Sequence, residues 1–121
     1  MTVRIARVYD PPTTGARVLV DRLWPRGMRK EDAPFDEWCK QVAPSTPLRQ
    51  WYDHQPERYH EFAERYVTEL AAPEAREGLD HLRELAAAGP LTLLTSSKHL
   101  DISHAAVLAG LLGKRRPGRT T

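Results

Sequence analysis

Cysteine is nearly missing from this sequence. Cys39 stands alone, so neither an internal disulfide nor a multi-cysteine zinc site can form. A lone thiol fits a reducing compartment, and the chain is read as cytoplasmic. Long apolar runs are missing as well. The opening residues Thr2, Val3, Arg4, Ile5 and Ala6 do not make the hydrophobic stretch of a secretory leader. No uninterrupted apolar segment approaches the roughly 20 residues needed to span a bilayer. The expectation is a soluble protein with no membrane partner.

A surplus of one charge is also missing, since 18 basic residues face 16 acidic ones for a net charge of +2. That balance excludes the broad basic footprint of a dedicated DNA-binding domain. Part of the small surplus sits in Lys114, Arg115, Arg116 and Arg119. Residues 114–121 are read as a solvated, disordered tail following a single domain over 1–113, with nucleic-acid contact the less favoured alternative.

The signatures of common chemistries are missing too. There is no Gly-x-x-x-x-Gly-Lys loop and no Gly-x-Gly-x-x-Gly, which removes ordinary ATP-hydrolysing and dinucleotide-binding readings. No Gly-x-Ser-x-Gly elbow surrounds Ser45. The histidines at 54, 60, 81, 99 and 104 show no metal-binding spacing, so neither a metal nor a cofactor is expected. Cys39 is read as a partly buried, inert thiol in a helical segment beside Lys40.

What is present is a pattern of strands and helices. A chain of 121 residues suits one domain, able to bury about two-thirds of its unfolded surface without staples. Val3 to Val8 alternates apolar and polar side chains, as a strand does, and Asp10-Pro11-Pro12-Thr13-Thr14-Gly15 breaks it. Arg17 to Asp21 reads as a second strand, ended by Pro25 and Gly27. Phe35 to Gln41 reads as a short helix carrying Trp38. Ser45 is a plausible N-cap for a helix through Leu48 and Trp51, with Pro47 in its first turn. Tyr59, Phe62, Tyr66 and Leu70 recur at helical spacing from Pro56 onward. Pro73 closes that helix or opens the next, and Ala75, Leu79, Leu82 and Leu85 carry the period to the stop at Gly89-Pro90. Leu91 to Thr95 is a third strand, and a last helix starting near Asp101 or Ser103 buries Ala105, Leu108, Leu111 and Leu112.

This order predicts an α/β fold: a small, largely parallel sheet flanked by helices, three-layered and Rossmann-like. The long helical link between the second and third strands is what a parallel crossover needs. The link between the first two strands is too short for one, which leaves their relative direction open.

Ligands of open parallel sheets bind beyond the carboxyl ends of the strands. There the second strand delivers Asp21, Arg22, Trp24 and Arg26, and the third delivers Thr95, Ser96, Ser97 and Lys98. The last helix adds its amino end near Ser103 and His104. Cations, hydroxyls, a carboxylate and a tryptophan at one rim suit a phosphate or carboxylate ligand. Each residue also has a plainer role: Asp21 in an ion pair, Lys98 in solvent, His104 at a helix end, Trp24, Trp38 and Trp51 in the core.

The string Val18-Leu19-Val20-Asp21-Arg22-Leu23-Trp24-Pro25-Arg26-Gly27 is distinctive. With Arg7-Val8-Tyr9-Asp10, Asp36-Glu37-Trp38, Ala43-Pro44-Ser45, Leu48-Arg49, Thr92-Leu93-Leu94, Lys98 and His104-Ala105, it resembles the YeaO-like branch of the domain-of-unknown-function family 488. The resemblance reaches to about Leu112 and implies a compact α/β domain. Carried over by position, it points to Asp21, Arg22, Trp24, Arg26, Trp38, Ser45, Arg49, Lys98 and His104. Family members tend to have tyrosine, an Asp or Asn, and Asn where this chain has Thr95, His99 and Ser103.

Three readings stay open. The first is an enzyme on a small anionic or nucleotide-like molecule, with Asp21, Lys98 and His104 catalytic and Arg22, Trp24, Arg26, Ser45, Arg49, Ser96 and Ser97 binding. The second is a non-catalytic module for nucleic acid or protein. The third makes the Arg-Leu-Trp-Pro-Arg-Gly loop architectural, with Asp21 paired to an arginine such as Arg49. Nothing in the pattern sets an oligomeric state.

Overall fold

A computed structural model describes residues 2–11 and 14–113; the basic segment 114–121 lies outside the described residues. Four strands form one sheet: β1 (Val3–Arg7), β2 (Ala16–Leu19), β3 (Glu37–Trp38) and β4 (Leu91–Thr95). Their order is β1-β4-β2-β3, and every neighbouring pair is parallel. The question left open for the first two strands is thereby answered: they run the same way, with β4 between them. Val8 N–H donates to the Thr95 carbonyl at one end of the sheet, and Ala16 N–H donates to Pro90 at the other. The short link therefore returns the chain along the whole sheet without needing a helix.

Four helices follow the predicted punctuation: α1 (Thr46–Tyr52), α2 (Tyr59–Glu69), α3 (Pro73–Ala88) and α4 (His104–Gly113). Ser45 caps α1 by accepting from the Leu48 N–H at 3.2 Å, with a proline in the first turn. Pro73 opens α3, where its missing N–H costs nothing. None of the described helices is long and apolar enough to cross a membrane.

The helix expected at Phe35–Gln41 does not form. Glu37 and Trp38 pair with Val18 and Leu19 as β3, and Lys40–Val42 is a single 3-10 turn. The Asp36 carboxylate accepts from the Arg17 backbone N–H and guanidinium, and Cys39 N–H donates to the Leu19 carbonyl. Those partners hold the segment extended against β2, and a helix would forfeit them.

The larger core cluster joins Val18, Val20, Leu91 and Leu93 of the sheet to Leu48, Phe62, Tyr66, Leu82 and Leu108 of the helices. A smaller one joins Val8, Leu19 and Leu94 to Met28, Phe35 and Trp38. Alternation along β4 separates the two, because Leu93 and Leu94 point to opposite faces. The sheet thus lies between a helical layer and an irregular one. Cys39 is buried, and burial, aided by nearby Glu37, pushes its thiol up to about 11. The thiol is therefore protonated and inert at neutral pH, though it follows a strand and not a helix.

The α2 stripe faces the core as its spacing predicted. Phe62 stacks on Tyr52 with centroids 4.3 Å apart, and the fully buried Tyr66 hydroxyl donates to the Val42 carbonyl. Tyr66→Phe strands that carbonyl with little change of volume. Urea unfolding of the variant should show stability lower by about 1–2 kcal/mol at unchanged slope. A loss below about 0.3 kcal/mol would mean that the carbonyl finds another partner.

Candidate functional site

All four strands point their carboxyl ends at one edge, and an open cleft of about 810 Å³ lies there. At its floor is Asp21, just beyond β2, its side chain only 12 % exposed. One carboxylate oxygen accepts from the Thr95 hydroxyl at 2.6 Å and faces His104 Nε2 at 3.2 Å. The other accepts from the Ser96 N–H at 2.8 Å and its hydroxyl at 2.9 Å. Burial opposes the charge on Asp21, but the His104 hydrogen bond and charge, with Thr95 and Ser96, outweigh it and hold the carboxyl below its usual range. Asp21 is ionised, and both its oxygens are fully engaged.

His104, the first residue of α4, also places Nε2 3.1 Å from the Val20 carbonyl. A carbonyl only accepts, so Nε2 carries hydrogen; Nδ1 has no hydrogen-bond partner among the described residues. The pairing of Asp21 with an arginine such as Arg49, which the architectural reading offered, is not made. His104 takes that place, because α4 delivers it directly to the end of β2. Asp21 therefore clamps three segments: β2, the loop after β4 and the start of α4. Trp38 Nε1–H adds a fourth by donating to the Asp21 backbone carbonyl at 2.7 Å.

The cations divide into held and free. Arg22 donates to the carbonyls of Ala43 and Pro44, and Arg7 to those of Ser96 and Ser97. The side chains of Arg26, Arg49 and Lys98 are exposed and have no partner among the described residues. All five line the cleft, where Asp21 is the only carboxylate among the described residues. Trp24, Ser96 and Ser97 line it with them.

Ser45 stands apart. It does not line the cleft; its hydroxyl donates to Glu69 at 2.6 Å while accepting from Leu48, and its N–H also donates to Glu69. Two hydrogen bonds through one hydroxyl tie α1 to the end of α2 and spend its only proton within the protein. Trp38 serves the Asp21 floor from β3 and is absent from the lining.

The structure adds Arg7, Tyr9 and His54 to the lining. Arg7 and Tyr9 follow from the parallel direction of β1, which the short link had left open. His54 is placed by backbone conformation: Asp53 and His54 have φ of 46° and 55°, both left-handed. Asp and His enter that region more easily than most residues, yet no sequence pattern announces two in succession. The three departures from family usage fall at supporting positions. Thr95 bonds Asp21, Ser103 accepts the Ala106 N–H at the start of α4, and His99 lines the cleft. No group of three or more His, Cys, Asp or Glu side chains among the described residues could hold a metal ion.

The chain is 53% identical over 115 residues to the uncharacterized protein Rv3073c of Mycobacterium tuberculosis, covering 93% of this chain and 95% of the relative. It is 46% identical over 114 residues to the uncharacterized protein YeaO of Escherichia coli, covering 93% and 97% respectively. No solved structure matches. A family model described as the inactive DUF488-N3 subclade matches residues 2–118. The chain belongs to the DUF488 family, in its DUF488-N3 branch.

Proposed function

We propose that the cleft binds a small anion and that the protein acts by binding, without turnover. One observation carries this reading: among the described residues, Arg26, Arg49 and Lys98 are unpaired cations around a cleft whose single carboxylate is consumed by four protein donors. Like charges converging without counter-ions repel one another, and an anion relieves that repulsion. Asp21 is a clamp in this reading, and Arg22 and Arg7 shape the walls. The description of the matching subclade as inactive supports binding over catalysis. The lone buried thiol supports a cytoplasmic setting.

Titration calorimetry and thermal shift with phosphate, pyrophosphate and small carboxylates test the reading. A ligand at a hundredfold its dissociation constant adds about 2.7 kcal/mol, enough to raise the melting temperature by several degrees. Lys98→Ala and Arg49→Ala, both at exposed positions, should each weaken binding about tenfold or more. A flat response to all three anion classes sinks the proposal. Single-stranded nucleic acid that binds with a steep salt dependence, where small anions fail, would move the reading to a nucleic-acid module.

Catalysis is the second reading, favoured by His104 alone. Its Nε2–H is oriented by Asp21 and the Val20 carbonyl, and Nδ1 is the ring nitrogen with no hydrogen-bond partner among the described residues. Product formation from a bound ligand, abolished in His104→Asn while binding persists, would establish it.

A further inference from the structure

We propose that the anion carries a flat ring, as a mononucleotide does, and that Trp24 and Tyr9 are the platform for that ring. The proposal rests on the anion-binding reading above and adds the ligand's second half. Among the described residues the large hydrophobic side chains left exposed are Tyr9, Leu23, Trp24 and Val67, and the first three line the cleft. Exposed apolar surface gathered beside free cations marks a site with a mixed ligand, since an inorganic anion gains nothing from it.

Both rings are fixed before any ligand arrives. Trp24 Nε1–H donates to the Met28 carbonyl at 2.6 Å, and the ring meets Phe35 and Trp38 edge-on at 5.3 and 5.5 Å between centroids. The Tyr9 hydroxyl donates to the Arg26 carbonyl at 3.2 Å, and the Arg7 guanidinium lies 5.0 Å from the Tyr9 centroid. The donor hydrogen of each ring is thus spent inside the protein. What remains for a ligand is apolar ring surface, 48 % exposure for Tyr9 and 36 % for Trp24. Such surface stacks on any flat ring without selecting hydrogen-bonding edges, and rings already immobilised lose little entropy on binding. The Tyr9–Arg26 bond also joins the platform to one of the unpaired cations, so ring and phosphate contacts are neighbours by construction.

Calorimetry with phosphate, ribose 5-phosphate and adenosine 5′-monophosphate separates the two halves. The mononucleotide should bind about tenfold or more tightly than ribose 5-phosphate, the increment due to the ring. Trp24→Ala and Tyr9→Leu should shrink that gap to about threefold or less while leaving the ribose 5-phosphate affinity within about twofold. Should Trp24→Ala fail to fold, Tyr9→Leu and the wild-type ligand series still decide. Equal affinity for mononucleotide and ribose 5-phosphate overturns the ring platform while the anion reading stands. No binding of any of the three overturns both. A 5′-phosphorylated oligonucleotide binding at least as tightly as the mononucleotide upholds the platform and assigns its ligand to a strand end.

Discussion

Asp21→Ala should lower stability by about 3–5 kcal/mol, a large share of the roughly 5–15 kcal/mol that holds a domain of this size together. The substitution removes one carboxylate but strands four donors: the Thr95 and Ser96 hydroxyls, the Ser96 N–H and His104 Nε2–H. The hydroxyls can rotate toward other acceptors. The backbone N–H cannot, and an unpaired, partly buried donor costs more than the hydrogen bond it once made. Thermal unfolding should show a melting temperature lower by roughly 10–20 °C. Asp21→Asn keeps the shape but turns an amide N–H₂ toward at least one donor, so it should fall between wild type and alanine. If Asp21→Ala melted within about 2 °C of wild type, the carboxylate would not be the clamp described here.

The same carboxylate predicts a pH signature. Folded Asp21 holds its proton less tightly than in the unfolded chain, where it keeps the ordinary value of 3.8. Near and below pH 4 the unfolded chain therefore binds more protons, and stability rises with pH through that window. Its contribution is complete above the unfolded value and is lost as the pH falls through the depressed folded one. Asp36, which Arg17 likewise holds low, contributes with the same sign from the surface. Asp21→Asn should flatten the acid limb of stability against pH; an unchanged limb would assign it to other carboxylates.

Gly15→Ala should be comparably damaging, at about 3 kcal/mol or more. Two separate penalties meet at this residue. Its φ of +84° lies in the left-handed region that a Cβ disfavours, at a cost of about 1 kcal/mol. A Cβ there would also sit 2.4 Å from the Pro90 carbonyl oxygen, which is backbone and cannot swing aside. Relief requires the start of β2 to move off β4, and that breaks the 3.0 Å bond from Ala16 N–H to the same carbonyl. Gly27→Ala isolates the first penalty, because Gly27 has φ +76° but open space around it. Urea unfolding of both variants should place Gly27→Ala near 1 kcal/mol and Gly15→Ala well beyond it. Equal losses would show that the contact with Pro90 relaxes without cost.

The elements that sequence reading recovered are those with local causes. Alternation marks Val3–Arg7, an apolar run marks Leu91–Thr95, and a stripe of Phe62, Tyr66 and Leu70 marks α2. Ser45, Pro73 and the Gly89-Pro90 stop set helix ends within a residue or so. The misread element, Phe35–Gln41, has no local cause. Two paired residues are too few to show a period, and what keeps them extended is a distant strand and the Arg17 guanidinium.

The rim was legible in outline for the same reason: if the second and third strands run parallel, their carboxyl ends share one edge, which puts Asp21 and Ser96 on the same rim. Their roles were not legible. Asp21 meets Thr95 across 74 positions and His104 reaches the Val20 carbonyl across 84, and no spacing rule reports which partner a carboxylate finds at such range. Ser45 shows the converse, since its capping role was readable from neighbours while its bond to Glu69, across 24 positions, was not. By itself the sequence determined three of the four strands, the four α-helices and the Ser45 cap, because backbone propensity and hydrophobic period act over a few residues. Only the tertiary structure decided that β4 enters between β1 and β2, that Asp21 is consumed, and that Arg26, Arg49 and Lys98 find no partner among the described residues. Those outcomes depend on long-range packing, which brings together groups that the chain keeps far apart.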